Sequence, residues 1–433
     1  MTRLTLLHSN DMHGRLEGLA RLTTIARQQR HDAEAQGRTV FRWDAGDAFD
    51  RRFEACRLTR GTALPPVLTA SGVTLQTLGN DICYPYGLDV TARMVERAEY
   101  PILAANLQQP DGRLPAGLTR SVLLDGPAGL RVGVFGMTDP FDGLYEIYGL
   151  TTPAVEVLAA ELAQELRAAG AGLIVFLSHL GLDADRQVAQ AAPGIDVIIG
   201  GHSHDLLLQG ERVGETLIAQ AGQWAEYLGR VDLDLHPETG RWVATASVIP
   251  VPEETLPDPQ VRDALAALEE EVTAFAAEPV GTLAVPLTLD YFGESPVVNF
   301  AAQVLRERAG AEIGLLSGGS AHTGLSAGPV TRGMLANAFP VTSNPETSRV
   351  TGERLWAALE RGLDPAVVSQ RNGALRGSPM GVPGLSGLRV TVDEQAPVGQ
   401  RVQEVWVGDE PLDWDRTYRV AHTNLEPLKI SFL

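Results

Sequence analysis

From residue 1 to about 250 the chain repeats one device, a short apolar run that stops abruptly at polar or glycine residues. The runs read "RLTLLHSND", "VFRWDAGD", "LQTLGND", "PILAANL", "RVGVFGM", "GLIVFLSHLG", "IDVIIGGHSH" and "TLIAQAG". Runs this short, bounded by turn residues, are strand signals. Between them lie patterns such as "AVEVLAAELAQELRAAG", whose apolar positions recur at three and four and whose last residue, Gly170, suits a helix C-terminus. Strands alternating with helices in this way make an α/β layered domain. The pattern breaks at "VIPVPEETLPDPQ", where Pro250, Pro252, Pro257 and Pro259 crowd together, and "VRDALAALEEEVTAFAAE" then reads as one solvent-bearing linker helix. A second, α+β unit follows, with helical "VVNFAAQVLRERAG" and "GERLWAALERGL" and strand-like "GLRVTV" and "QEVWV". The expected organisation is a first domain over residues 1–250, a linker over 251–278 and a second domain over 279–433.

Composition narrows the partners. A chain of 433 residues is too long for one ordinary core, which agrees with two units. The formal net charge of −19 excludes the basic stripe that a nucleic-acid polymer demands, so an anionic substrate must be small and drawn in locally. Cys56 and Cys83 are the only cysteines, too few for a disulfide framework, which favours a reducing compartment. The amino terminus shows no leader pattern, and no run approaches the ~18 apolar residues of a spanning helix. A cytoplasmic protein with no membrane partner is therefore expected.

The polar residues at the strand ends carry the chemistry. Asp11, His13, Asp47, Asn80, His179, His202 and His204 all follow apolar runs, and they take up four of the nine histidines in the chain. Asp11 and His13, two apart in an extended segment, point to one side. Side chains at one end of adjacent strands converge on one crevice. Singly, "GHSH" is compatible with a surface turn and His179 with a core histidine. Together they form a set of N and O donors large enough for two ions sharing a bridge. With no thiolate among them, the donors suit Mn, Zn, Fe or Co better than Mg or Ca.

In their order along the chain, "NDMHG", "GD", "GN", "SHLG" and "GGHSH" resemble the calcineurin-like metallophosphoesterases, and specifically the 5′-nucleotidase and UDP-sugar hydrolase family. "GESPVVNFAAQVL", "SGGSAHTGLSAGPVT", "SNPETSRVTG", "LSGLRV" and "YRVAHTN" are similar to that family's carboxy-terminal substrate domain. The resemblance implies a four-layer α-β-β-α sandwich followed by a smaller α+β domain. It implies two divalent metal ions, one held by Asp11, His13, Asp47 and His204, the other by Asp47, Asn80, His179 and His202. The reaction implied is in-line attack on phosphorus by a hydroxide that the ions deliver, with no Ser or Cys nucleophile. His8 and Asn10, beside the ligands, are candidates for orienting them.

The chain also departs from the family. Asp81 stands where members usually have a histidine after the "GN" asparagine, so it is the candidate catalytic residue, able to act as an acid only if its carboxyl is kept protonated. In the second domain the arginine expected after the Gly-Gly turn is missing, as is an aromatic place. Ser317, Gly318 and Gly319 remain as a candidate backbone nest for an anion, and Asn344 of "SNP" as a pocket residue. The function expected is a dinuclear-metal phosphoesterase hydrolysing nucleotides or related small phosphate esters. Two alternatives stay open: a phosphodiesterase or pyrophosphohydrolase on cyclic nucleotides or UDP-sugars, and a weakened paralogue that binds metal and a phosphorylated ligand without useful turnover.

Overall fold

The structure is a computed structural model and describes residues 2–81, 86–87, 89–141, 145–341 and 343–423. It divides into two compact units, Met1–Thr273 and Ala274–Leu433. The strands of the first unit, in chain order, are β1 (Arg3–Ser9), β2 (Thr39–Asp44), β3 (Leu75–Thr77), β4 (Ile102–Leu103), β5 (Ser121–Asp125), β6 (Arg131–Thr138), β7 (Leu173–His179), β8 (Val197–Ile199), β9 (Glu211–Val213), β10 (Thr216–Ala219), β11 (Tyr227–Leu235) and β12 (Trp242–Pro250). They form two six-stranded sheets, ordered β12-β11-β1-β2-β3-β4 and β5-β6-β7-β8-β10-β9.

In the first sheet β1 to β4 run parallel. In the second, β6, β7, β8 and β10 do. Parallel neighbours need a crossover, which helices such as Leu16–Ala35, Val155–Ala168 and Leu182–Ala191 supply. The sequence of β7 shows how the layers stack. Leu173, Val175 and Leu177 enter a core shared with Leu4, Leu6 and Trp43 of the other sheet, while Ile174 and Phe176 pack on the helix residues Leu158, Leu162 and Val188. Phe176 stacks on Phe135 with ring centroids 4.7 Å apart. A third core lies under the helix Leu16–Ala35, built on Leu7, Leu19 and Leu22. Helix, sheet, sheet and helix give the four-layer sandwich that the resemblance implies.

The helix Pro259–Ala277 lies where the sequence suggests a linker, but its Val261 and Leu268 are buried in the first unit's core, so much of its length is docked rather than solvated. The second unit is α+β. Its four-stranded sheet is ordered Pro345–Thr351, Thr417–Thr423, Ile313–Leu316, Gly384–Ser386, and the helices Pro296–Ala309 and Gly352–Gly362 contribute to its two cores. Cys56 is buried in the first unit, whereas Cys83 and the terminal Asn424 of "YRVAHTN" lie outside the described residues. Among the described residues no helix is long and apolar enough to cross a membrane.

Leu177 has no exposed surface between the two sheets. Leu177→Ala should cost about 2–5 kcal/mol, read as a lower urea midpoint at unchanged slope. Val157→Ala, on an outer helix face 60% exposed, should stay within about 0.5 kcal/mol. Equal effects would contradict the assignment of the inter-sheet core.

Candidate metal centre

The parallel strands of both sheets bring their carboxyl ends to one place. β1 runs into Asn10, Asp11 and His13, β2 into Ala45 and Asp47, and β3 into Asn80 and Asp81, while β7 ends on His179 and β8 runs into His202 and His204. Five of these residues hold left-handed backbone: Asp11 (φ 50°), His13 (46°), Asp47 (48°), His202 (75°) and His204 (62°). Each such residue costs about 1–3 kcal/mol and persists only where its surroundings over-determine it. Here the loops are laced together. Asp11 N–H donates to Gly46 O at 3.0 Å, His13 N–H to Asp47 O at 2.9 Å, and Trp224 N–H to Asp11 O at 2.8 Å. Gly79 must be glycine, since a Cβ there would stand 1.9 Å from Asp47 Oδ1.

The donor atoms gather in two sets. In one, His13 Nε2 and His204 Nε2 are 2.9 Å apart and lie 3.7 and 3.5 Å from Asp11 Oδ1. In the other, His179 Nε2 lies 3.2 Å from Asp47 Oδ2 and 3.1 Å from Asn80 Oδ1, and His202 Nδ1 is 2.8 Å from the same Asn80 oxygen. Donors on one ion with bonds of about 2.0–2.2 Å sit about 2.8–3.1 Å apart at a right angle and about 3.3–3.6 Å apart at the tetrahedral angle, so these separations are near those of ligands that face a shared cation. Asp47 also groups with Asp11 and His179, and again with His13 and Asp81, which places it beside both sets.

The surrounding hydrogen bonds aim the donors. His13 Nδ1 faces Asp81 Oδ2 at 3.1 Å and His179 Nδ1 donates to Ala45 O at 2.7 Å, which turns each Nε2 toward the centre. His202 Nε2 faces Asp139 Oδ2 at 3.5 Å. Asn10 Nδ2 donates to Asp11 Oδ2 at 2.8 Å and to Gly222 O at 2.6 Å, so Asn10 does orient a ligand.

The electrostatics of the centre call for a cation. Burial pushes the Asp11 carboxyl up to about 6, with His179 opposing and the Asp47 charge adding to it. Burial alone would pull His179 down, but the Asp47 carboxylate and its hydrogen bond outweigh it and push His179 up to about 10. Against burial, His179 in turn holds Asp47 below the usual carboxylate range. Buried carboxylates facing unshared imidazole nitrogens are the chemistry of a divalent transition-metal site, and the donors present fit one.

Other expected residues fall elsewhere. His8 is buried between the sheets, its ring so close to β11 that a Cβ on Gly229 would stand 2.1 Å from it, and burial followed by the Arg42 charge lowers it to about 3. It packs and does not orient a ligand. At the Gly-Gly turn, Ser317 Oγ donates to Met380 O at 2.5 Å, and the N–H groups of Gly319 and Ser320 donate to Met380 O and Ser317 O. Two of the turn's backbone donors and the Ser317 hydroxyl are thus engaged within the unit itself. The glycines serve packing, since a Cβ on Gly319 would stand 2.1 Å from Pro379 O. Asn344 is half-buried beside Ser343, which with Ser320, Phe339, Val341, Leu375 and Thr423 borders a cavity of about 160 Å³ whose described lining residues are all uncharged.

Asp139 was legible by the same rule as the ligands, because it closes the run "RVGVFGMTD" at the end of β6. Asp185 gave no such signal. It is fully buried on the helix after β7, accepts from Ser178 Oγ at 2.5 Å beside His179, and burial pushes it up to about 7. Its folded form keeps a proton that the unfolded chain has released above the ordinary 3.8, so this group's contribution to stability is present below about 4 and is lost as pH rises towards about 7. Asp185→Asn should remove that slope from urea midpoints measured between those pH values. An unchanged slope would contradict a buried, protonated Asp185.

Residues 279–426 match the family model described as 5′-nucleotidase, C-terminal domain. The chain is 28% identical over 423 residues to the metallophosphoesterase YunD of Bacillus subtilis (strain 168), covering 97% of this chain and 91% of that one. It is also 28% identical to the trifunctional nucleotide phosphoesterase protein YfkN of the same organism, with 97% of this chain spanning 31% of that longer protein. Among solved structures, the 5′-nucleotidase precursor from Thermus thermophilus superposes with a TM-score of 0.56 at 26% identity, covering 98% of this chain and 90% of that one.

Proposed function

We propose that this chain, whose residues 279–426 belong to the 5′-nucleotidase C-terminal domain family and which is a relative of metallophosphoesterases over nearly its whole length, is a dinuclear-metal phosphoesterase acting on nucleotides or related small phosphate esters. The observation that carries the reading is the pair of donor sets that meet at Asp47. Asp11, His13 and His204 would hold one divalent ion, Asn80, His179 and His202 the other, and Asp47 both. Such ions supply Lewis acidity that activates water and offsets the charge of a phosphoryl group.

What the protein's own groups do follows from the hydrogen bonds. Ala45 O and Asp81 fix the His179 and His13 tautomers, and Asn10 fixes the Asp11 carboxylate. Asp81 faces His13 Nδ1, and burial, with the Asp47 and Asp50 charges adding to it, raises its carboxyl above the usual carboxylate range against that contact, so it orients His13 when ionised and serves a leaving oxygen only while it keeps its proton. Leaving groups that depart unaided are then favoured. The names of YunD and YfkN support the phosphoesterase class.

The test is hydrolysis of p-nitrophenyl phosphate, bis(p-nitrophenyl) phosphate, AMP and UDP-glucose by protein loaded with Mn or Zn. Turnover is expected, fastest on p-nitrophenyl phosphate and abolished by Asp47→Asn. Asp81→Asn should weaken metal binding about 10–100-fold, as loss of a partner behind a ligand does. Metal-loaded protein that hydrolyses none of these esters would overturn the reading, and turnover surviving Asp47→Asn would remove Asp47 from its place.

A further inference from the structure

Arg15 follows the ligand His13 by two residues, at most about 7 Å away along the backbone. It is exposed, yet it is held: its guanidinium carbon lies 5.7 Å from the Phe53 ring centroid and 5.4 Å from that of Trp224. Both residues are tied to the loop that carries Asp11 and His13. Phe53 packs so tightly on Gly14, the residue after His13, that a Cβ there would stand 2.5 Å from its ring, and the Trp224 N–H is bonded to the Asp11 carbonyl. Trp224 and Ala225 adopt left-handed backbone, φ 61° and 59°, in the segment that offers the indole to Arg15.

A guanidinium stacked on aromatic rings uses its faces and keeps its in-plane N–H groups, the ones that grip a carboxylate or phosphate two at a time. Among the described residues no carboxylate forms an ion pair with Arg15. Arg52, on the neighbouring loop, differs in that its Nε donates to Asp50 Oδ2 at 2.7 Å. In a chain of net charge −19, an unneutralised cation clamped beside a ligand loop has an evident use.

Resting on the phosphoesterase reading above, we propose that Arg15, clamped by Phe53 and Trp224, selects substrates bearing a second anionic group, a carboxylate or a further phosphate, beyond the phosphate at the metal centre. The scissile phosphate meets the ions, and Arg15 meets the next anion. Without that contact the second anion would be repelled by an acidic protein surface.

The test is calorimetric binding to Mn-loaded protein of ethyl phosphate, of phosphoglycolate, which adds only a carboxylate, and of ADP, which adds a phosphate. The wild type is expected to prefer phosphoglycolate or ADP over ethyl phosphate, and the preferred one identifies the second anion. Arg15→Ala should reduce that preference about 10- to 100-fold, the worth of a charge-assisted pair. Arg15→Lys should recover only part, because lysine keeps the charge and loses the planar fork. A preference unchanged in Arg15→Ala, including an equal fall for all probes, would overturn the proposal and leave Arg15 as a strut for the rings. Turnover of p-nitrophenyl phosphate is scored apart. Lost preference in a protein without turnover would sink the hydrolytic reading alone, whereas turnover with unchanged preference would sink only the role of Arg15.

Discussion

Asp11 and Asp47 are carboxylates 0% and 4% exposed, brought to the ends of two neighbouring strands and facing a fully buried His179. Two such charges without a cation are costly in a low-dielectric interior, and the rest of the centre follows from that cost. It explains why Asp11 is pushed up to about 6 while His179 is held as an imidazolium well above its ordinary range. It also explains why the backbone N–H of His202 is donated to Asp11 Oδ2 at 2.9 Å and that of Asp81 to Asp47 Oδ1 at 3.1 Å. A divalent ion held by these residues would take the place of the proton on His179 as the counter-charge, so its binding would release protons and tie the loops together.

The fold was legible wherever burial writes itself into composition. The continuous apolar run of β7 reads as a strand covered on both faces, and it is one, with Val175 between the sheets and Phe176 under a helix. The helix after the proline cluster reads as solvated because Val261 and Leu268 are spaced among exposed residues, yet both are buried against the first unit. The candidate ligands were legible because parallel strands align their ends. That rule would also have found Asp139 had it been applied to β6.

What the sequence hid depends on the third dimension. Left-handed backbone at Asp11, His13, Asp47, His202 and His204 is uncommon outside glycine, and although Asp and His adopt it more readily than most residues, residue type alone does not mark where it falls. The Ala45 carbonyl that aims His179 is invisible in any side-chain pattern. The glycines of the Gly-Gly turn suggested an anion site, but the same residue type serves close packing, here against Pro379 O. Asp81 looked like a defective acid when read against a family pattern. In place it lies 3.1 Å from His13 Nδ1, a contact that its position in the sequence could not disclose.

The central claim is that two ions share Asp47. Anomalous diffraction from crystals grown with Mn, collected on either side of the metal edge, tests it directly. The account expects two peaks, one bounded by Asp11, His13 and His204 and the other by Asn80, His179 and His202, with Asp47 against both. A single peak, or none, in fully loaded protein would contradict it.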